Sequence, residues 1–244
     1  MCNLDMQLAI DIGNSATKVG LFEQHRLVKT ATLATDDLPR ALTAWPAGKA
    51  IISSVNRAKA DSLLPGLRQL YRQVLQLTAA TPLPFGVQYQ TPHSLGVDRL
   101  AAAAGALVHA RPPLAIVDAG TCITCDLVNS QGQFVGGVIS PGLRMRLQAM
   151  HRFTAALPYP ELAEPTAFPG RSTEEAMLHG ALTGARHEVT GYLRSYRQAE
   201  PQLQVFVCGG DAQYFDKINE FVTFAHSNLV LEGLNAILLF NEKL

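Results

Sequence analysis

Asp11 stands at the entrance of a tight polar turn. The stretch Leu8-Ala9-Ile10-Asp11-Ile12-Gly13-Asn14-Ser15-Ala16-Thr17-Lys18-Val19-Gly20-Leu21-Phe22 reads as an apolar strand, a turn and a second strand. These residue types suit a metal-nucleotide. A carboxylate holds a hydrated magnesium ion, Gly13 lets backbone approach a phosphate, and Ser15, Thr17 and Lys18 offer donors. An ordinary hairpin turn also favours Asp, Gly, Asn and Ser, so one copy does not decide between the two. A second copy does more. In Ala115-Ile116-Val117-Asp118-Ala119-Gly120-Thr121-Cys122-Ile123-Thr124-Cys125-Asp126-Leu127-Val128, aligned on the Asp, Asp118 matches Asp11, Gly120 matches Gly13 and Thr124 matches Thr17. A third carboxylate, Asp98, lies with Arg99 in Leu95-Gly96-Val97-Asp98-Arg99-Leu100. The pair can serve two parts of one substrate. A carboxylate in a first helical turn is also favoured by the helix dipole alone.

The elements that must hold these groups can be read in order. Residues 7–12 and 17–22 form the first hairpin, and Arg26 to Leu33 alternates like a third strand. Asp37 to Leu42 opens a helix, with Pro39 near its first turn. Ala50 to Val55 is a buried strand, Ala58 to Tyr71 a helix and Val74 to Leu77 a short strand. A proline-rich loop from Thr81 to Ser94 leads into an alanine-rich helix that runs to about Ala110. Arg111-Pro112-Pro113 breaks the chain, and the expected division is 1–112 and 113–244. Two similar corners about half a chain apart indicate a duplicated domain rather than a solenoid. Facing corners would form a cleft with a carboxylate on each wall.

The second half carries weaker signals. Gly136-Gly137 is either a bulge or bare backbone near a ligand. The following Pro141-Gly142 bends into a helix from about Leu143 to His151. Ser172 and Glu175 make a capping box at the start of a helix to about Tyr196, which would bring Thr173 to an N-terminus. Leu203 to Cys208 is a strand ending in Gly209-Gly210-Asp211-Ala212, and Leu229 to about Phe240 is an apolar last helix.

Composition narrows the classes. The chain has 244 residues, 48% of them hydrophobic, and a formal net charge of zero. No basic run supplies a nucleic-acid footprint. No apolar stretch of about 18 residues or signal-peptide pattern is present, and four cysteines are few and irregular, so a reduced, cytoplasmic protein is expected. Cys122 and Cys125 form a C-x-x-C, but positions three apart on a strand point to opposite faces, and no second pair completes a zinc site. The seven histidines show no metal-binding spacing; His93 lies in the loop before Asp98.

The two corners resemble the phosphate-binding hairpins of the actin, sugar-kinase and heat-shock ATPase superfamily. That resemblance implies an α/β fold of duplicated ribonuclease-H-like domains with an ATP cleft between them. Four segments together look like type III pantothenate kinase: Asp11 to Lys18, Leu95 to Arg99, Asp118 to Thr124, and Gly136-Gly137-Val138-Ile139-Ser140-Pro141-Gly142-Leu143. Ser172-Thr173 and Gly209 to Ala212 follow in the family's order, so the resemblance covers nearly the whole chain. It implies transfer of phosphate from ATP to pantothenate, giving 4′-phosphopantothenate in the first step of coenzyme A biosynthesis. It also implies a homodimer, Mg²⁺, and a monovalent cation, K⁺ or NH₄⁺.

Carried over by position, Asp11, Ile12, Gly13, Asn14, Ser15, Ala16, Thr17 and Lys18 match the ATP-phosphate loop, with Asp11 holding magnesium through water. Gly96, Val97, Asp98 and Arg99 match the pantothenate segment, with Asp98 the proton acceptor. Tyr89 and Thr173 match pantothenate contacts, Thr121 an ATP contact and Asp118 the potassium ligand. Ser15 stands where the family often has Thr, Thr91 where it usually has Asn, and Cys122 and Cys208 where Ala and Thr are usual. None removes a group the mechanism needs. Arg99 is the candidate for the pantothenate carboxylate or for an interface. Two other readings share these residues: a non-catalytic regulatory protein on the same fold, and a kinase for another small alcohol.

Overall fold

The computed structural model describes residues 6–14, 16–34, 38–54, 56–215, 218, 221 and 223–244. In chain order the strands are β1 (Met6–Ile12), β2 (Thr17–Glu23), β3 (Arg26–Leu33), β4 (Lys49–Ser54), β5 (Gln73–Gln76), β6 (Gly86–Val87), β7 (Leu114–Ala119), β8 (Cys122–Val128), β9 (Gln133–Pro141), β10 (Gln204–Cys208) and β11 (Thr223–Ala225). The helices are α1 (Leu38–Leu42), α2 (Arg57–Leu70), α3 (Val97–His109), α4 (Leu143–Arg152), α5 (Thr173–Leu178), α6 (Gly184–Ala199) and α7 (Leu229–Asn241). A π-helical turn, His179–Thr183, joins α5 to α6.

The chain forms two units. One contains residues 1–111, 132–135 and 228–244, and the other 112–131 and 136–227. The chain thus passes from the first to the second at Arg111–Pro112, and returns to the first for α7.

In the first unit the sheet order is β3-β2-β1-β4-β5. β1, β2 and β3 are antiparallel neighbours, while β4 and β5 run parallel to β1. Parallel neighbours need a crossover, and α2 supplies the one between β4 and β5. Its N-cap is Asn56, whose side chain accepts from the Lys59 amide at 3.2 Å. The period-two pattern of β1 splits its side chains. Leu8, Ile10 and Ile12 enter one core with Leu64 and Leu67 of α2. Ala9 enters the other, with Ala101 and Ala104 of α3 and Leu231, Leu234 and Leu238 of α7. Asp11 therefore lies on the α3/α7 face of its strand.

α3 and α7 pack at close range. A Cβ on Gly233 would lie 1.7 Å from the Ala101 carbonyl oxygen, and one on Gly105 2.0 Å from that of Leu229. α7 is buried along nearly its whole length, from Leu229 to Leu239. The opening residues of β9 belong to this unit, where Gln133 and Phe134 pair with Gly86 and Val87 of β6.

The second unit repeats the plan, with strands ordered β11-β10-β7-β8-β9. Relabelled from its first strand, β7, that is the same 3-2-1-4-5 order as the first sheet. β7 and β8 are antiparallel, and β10 runs parallel to both β7 and β11. Ala115, Val117 and Ala119 of β7 face a core built with Leu182, Ala185, Val189 and Leu193. By alternation Asp118 lies on the opposite face. No helix among the described residues is long and apolar enough to cross a membrane.

Candidate active site

The first corner is built by the β1–β2 hairpin. Its register sets Ile12 across from Thr17 and Asp11 across from Lys18. The Gly13 amide closes the turn on the Ala16 carbonyl at 3.1 Å. Ile12 and Thr17 are buried on the α2 side, whereas Asn14 is exposed at the tip and Gly13, Ala16 and Lys18 are partly open. Ser15 lies outside the described residues. The parallel neighbour β4 sets Ser53 beside Asp11, and Ser53 Oγ donates to Asp11 Oδ1 at 2.7 Å. Burial pushes the Asp11 carboxyl above its ordinary value, and Ser53 pulls it back down. The negative charge of Asp98 raises it further, and Lys18 lowers it. Two carboxylates far apart in sequence thus share one electrostatic neighbourhood.

Asp98 owes that place to α3. It occupies the first turn of a helix whose N-cap is Gly96. Its Oδ1 accepts from the Arg99 amide at 2.9 Å. A Cβ on Gly96 would sit 2.5 Å from that same oxygen, so the missing side chain leaves room for the carboxylate. Val97 packs against the α3/α7 core, which fixes the entry of the helix.

Arg99 points into the protein and is only 6% exposed. Its guanidinium carbon lies 5.8 Å from the Tyr89 ring centroid and 5.7 Å from that of Phe134. The two rings are themselves 6.3 Å apart. The Gln88 amide donates to the Phe134 carbonyl at 2.8 Å, holding the Tyr89 loop against β9. Tyr89, Gly96, Val97, Asp98 and Arg99 are therefore brought together.

The second corner differs from the first in one respect. Asp118 pairs across with Thr124 and Ala119 with Ile123, while the Gly120 amide closes on the Cys122 carbonyl at 2.9 Å. Asp11 meets residue 18, seven places on, but Asp118 meets residue 124, six places on. The second turn is one residue shorter. Thr124 therefore corresponds to Lys18 and not, as the alignment on the Asp suggests, to Thr17. A neutral hydroxyl stands across from Asp118 where a lysine stands across from Asp11. Thr121 is exposed and Asp118 partly so.

The remaining motifs resolve simply. Gly136 has φ 111, and a Cβ on Gly137 would lie 2.2 Å from the Cys125 carbonyl oxygen, so this pair lets β9 approach β8 closely. Cys122 is exposed and Cys125 buried, as alternation requires. Burial pushes the Cys125 thiol up, with the Asp126 charge adding to it. Ser172 caps α5, accepting from the Glu175 amide at 3.2 Å, and Thr173 is exposed at its first position. The Glu175 carboxylate returns to the Arg171 amide at 3.0 Å.

Sequence reasoning passed over Ser53 and Phe134. Ser53 is a buried polar residue directly after the apolar run Ala50-Ile51-Ile52, which is a usable signal. Phe134 carries none, because its role depends on which strand lies beside the Tyr89 loop.

Two units with the same strand order, each with a carboxylate corner on its first hairpin, define a duplicated ribonuclease-H-like α/β fold. Solved structures bear out the fold. A Baf-family protein from Campylobacter jejuni is similar with a TM-score of 0.67 at 24% identity, over 97% of this chain and all of the other. Component A of the (R)-2-hydroxyglutaryl-CoA dehydratase of Acidaminococcus fermentans has a TM-score of 0.54 at 11% identity, over 96% of each chain. The family model for type III pantothenate kinase matches residues 7–195. A type III pantothenate kinase of Bacteroides fragilis is 40% identical over 243 residues, 97% of this chain and 99% of its own. The chain belongs to the type III pantothenate kinase family.

Proposed function

We propose that this protein transfers the γ-phosphoryl group of ATP to the primary hydroxyl of pantothenate, with Asp98 as proton acceptor and the Asp11 corner as the phosphate cradle. The activity, which opens coenzyme A biosynthesis, follows from family membership. The residue roles are supported above all by one arrangement: Asp11 lies on the face of β1 that packs against α3, and Asp98 stands in the first turn of α3, where its charge acts on the Asp11 carboxyl.

The chemistry is positioning and charge neutralisation. The pantothenate oxygen attacks the γ-phosphorus while the bond to the β-bridging oxygen breaks, releasing ADP. The hydroxyl proton passes to Asp98. An alcohol is far less acidic than a carboxylic acid, so in a loose transition state the proton leaves late and orientation counts for more than basicity. The Arg99 amide holds Asp98 Oδ1, which helps aim the carboxylate. Lys18 and the backbone around Gly13 and Asn14 face the phosphates. Tyr89, Arg99 and Thr173 recognise pantothenate, and Thr121 contacts ATP.

The donor sets fit the two cations. Asp11, with one oxygen on Ser53, is an oxygen ligand suited to Mg²⁺ through water. Held there by Asp11, the ion would offset the charge of the phosphates. Asp118 would hold K⁺ or NH₄⁺. Its cross-strand partner is Thr124, so a cation held by Asp118 would supply the positive charge that Lys18 supplies at the first corner. A homodimer fits the large apolar side chains left exposed between Ile139 and Phe168: Ile139, Met145, Phe153, Tyr159 and Phe168. A cytoplasmic location fits the free thiols of Cys122, Cys125 and Cys208.

The deciding assay is phosphate transfer from ATP to pantothenate by purified protein, with potassium and then with sodium alone. Turnover that needs potassium or ammonium supports the whole reading. No turnover with either, in a folded protein that still binds ATP, shifts the acceptor to another alcohol.

A further inference from the structure

Two turns grip the second corner. The Gly142 amide donates to the Thr121 carbonyl at 3.1 Å, and a Cβ on Gly142 would lie 2.2 Å from the Gly120 carbonyl oxygen. Gly209, at φ 95, is as close to the other end of the corner. A Cβ there would lie 2.2 Å from the Ala119 carbonyl oxygen and 2.5 Å from Asp118 Oδ1. The Asp211 amide then donates to the Ala119 carbonyl at 2.9 Å.

Two residues beyond each glycine comes a charged side chain, and the two meet. Arg144 Nη1 donates to Asp211 Oδ1 at 2.6 Å. The partners are unequal: the Asp211 side chain is 9% exposed and that of Arg144 60%. A guanidinium carries five N–H donors in a rigid fork. Asp211 takes one, and the fork is left open to solvent two residues from the amide that binds Thr121. Arg146, two residues further on, is spent within the protein, on the Pro141 carbonyl, Ser140 and Glu188. Among the described residues, Arg144 makes no such set of internal bonds.

A nearly buried carboxylate that fixes one edge of an open guanidinium, at the turn bearing Asp118 and Thr121, is a pre-organised anion contact. We infer that Arg144 is a catalytic residue that donates to a phosphate oxygen of the nucleotide, with Asp211 as its positioning residue. This rests on the reading of the second corner as a nucleotide and potassium site. As the phosphoryl group leaves the β-bridging oxygen, negative charge gathers on the departing ADP. Arg144 stabilises that charge without any proton moving.

The test compares Arg144→Gln, Arg144→Lys and Asp211→Asn in the full-length enzyme. Arg144→Gln is expected to raise the ATP KM or lower kcat by roughly tenfold or more, with the pantothenate KM unchanged. Its melting temperature should rise less than that of the parent on adding ATP. Arg144→Lys should recover part of the loss, because a point charge survives, and Asp211→Asn should fall between. Arg144→Gln with ATP parameters within about twofold of the parent overturns the inference. So does a uniform loss of stability in all three variants with no ATP-specific effect. Asp118→Ala, measured alongside, separates the two layers. If it impairs ATP use or the potassium response while Arg144→Gln does not, only the role of Arg144 fails. If it too is silent, the nucleotide does not sit at this corner.

Discussion

Ser53 donates to Asp11 across 2.7 Å, joining the parallel strands β4 and β1 at the end where the first corner turns. This bond favours the charged carboxylate, while burial and the nearby Asp98 favour the neutral acid. Burial is the larger effect, so the folded-state pKa stands above the unperturbed value of 3.8. The stability that Asp11 contributes is fully present below 3.8 and is lost as pH rises through its raised folded pKa. Asparagine mimics the neutral acid at every pH. Asp11→Asn should therefore lose turnover yet melt higher than the parent at neutral pH. The gain should vanish once the pH falls below 3.8. Thermal melts at two pH values check this, and a lower melting temperature for the Asn variant at neutral pH would count against it.

Ser53→Ala removes the one hydrogen bond that lowers the Asp11 pKa. The acid limb of the pH–rate profile should move to higher pH, with turnover recovering at alkaline pH. A parallel drop at every pH would mean that Ser53 acts only in packing.

Asp98→Asn keeps the shape of the first turn of α3 and the acceptor for the Arg99 amide. Turnover should fall by roughly 10²-fold or more, the range of a lost general base. The melting temperature should hardly change. Near-normal turnover would remove Asp98 from the mechanism.

Thr124→Lys places an ammonium group across from Asp118, as Lys18 stands across from Asp11. If a monovalent cation fills that role, the variant should respond less to potassium, with activity in sodium closer to that in potassium. A titration of rate against potassium that matches the parent would speak against a cation at Asp118.

Gly142→Ala forces a Cβ within 2.2 Å of one carbonyl oxygen and 2.4 Å of a second, both in the Gly120–Thr121 turn. Backbone cannot swing aside as a side chain can. Overpacking of this kind costs about 1–3 kcal/mol. Each kcal/mol lowers the melting temperature by about 2–4 °C in a chain of this size. The ATP KM should rise with it, because the displaced turn carries Thr121. A variant with the parent's melting temperature and ATP KM would show that the turn shifts without cost.

Much of this was legible in the sequence because local chemistry and strand period agreed. The polar turns that follow them placed Asp11 and Asp118 near strand ends, alternation separated Cys122 from Cys125, and the alanine-rich run put Asp98 in a first helical turn. What stayed hidden depends on which elements become neighbours. The alignment of the two corners on their Asp residues runs true only as far as the turn. The missing residue in the second hairpin appears only once the cross-strand pairs are known. Arg99 reads as a candidate for the pantothenate carboxylate or an interface, yet its place beside both the Tyr89 and Phe134 rings requires β6 and β9 to be adjacent. α7 is apolar almost all round, and such a helix says that it is buried without saying against what.

The return of α7 to the first unit has a consequence for synthesis. The ribosome makes every residue of the second unit before it makes Leu229. The second unit can thus reach its own core while the sheet that carries Asp11 still lacks one face of its packing. α3, bearing Asp98, waits for Gly233 to seat against Ala101. The half of the protein begun first is finished last. Until α7 docks, the exposed α3 face is an apolar surface on a nascent chain, the kind that chaperones bind. Mutations that slow α7 docking should therefore show first in yield from cells, before they show in the activity of the protein that survives.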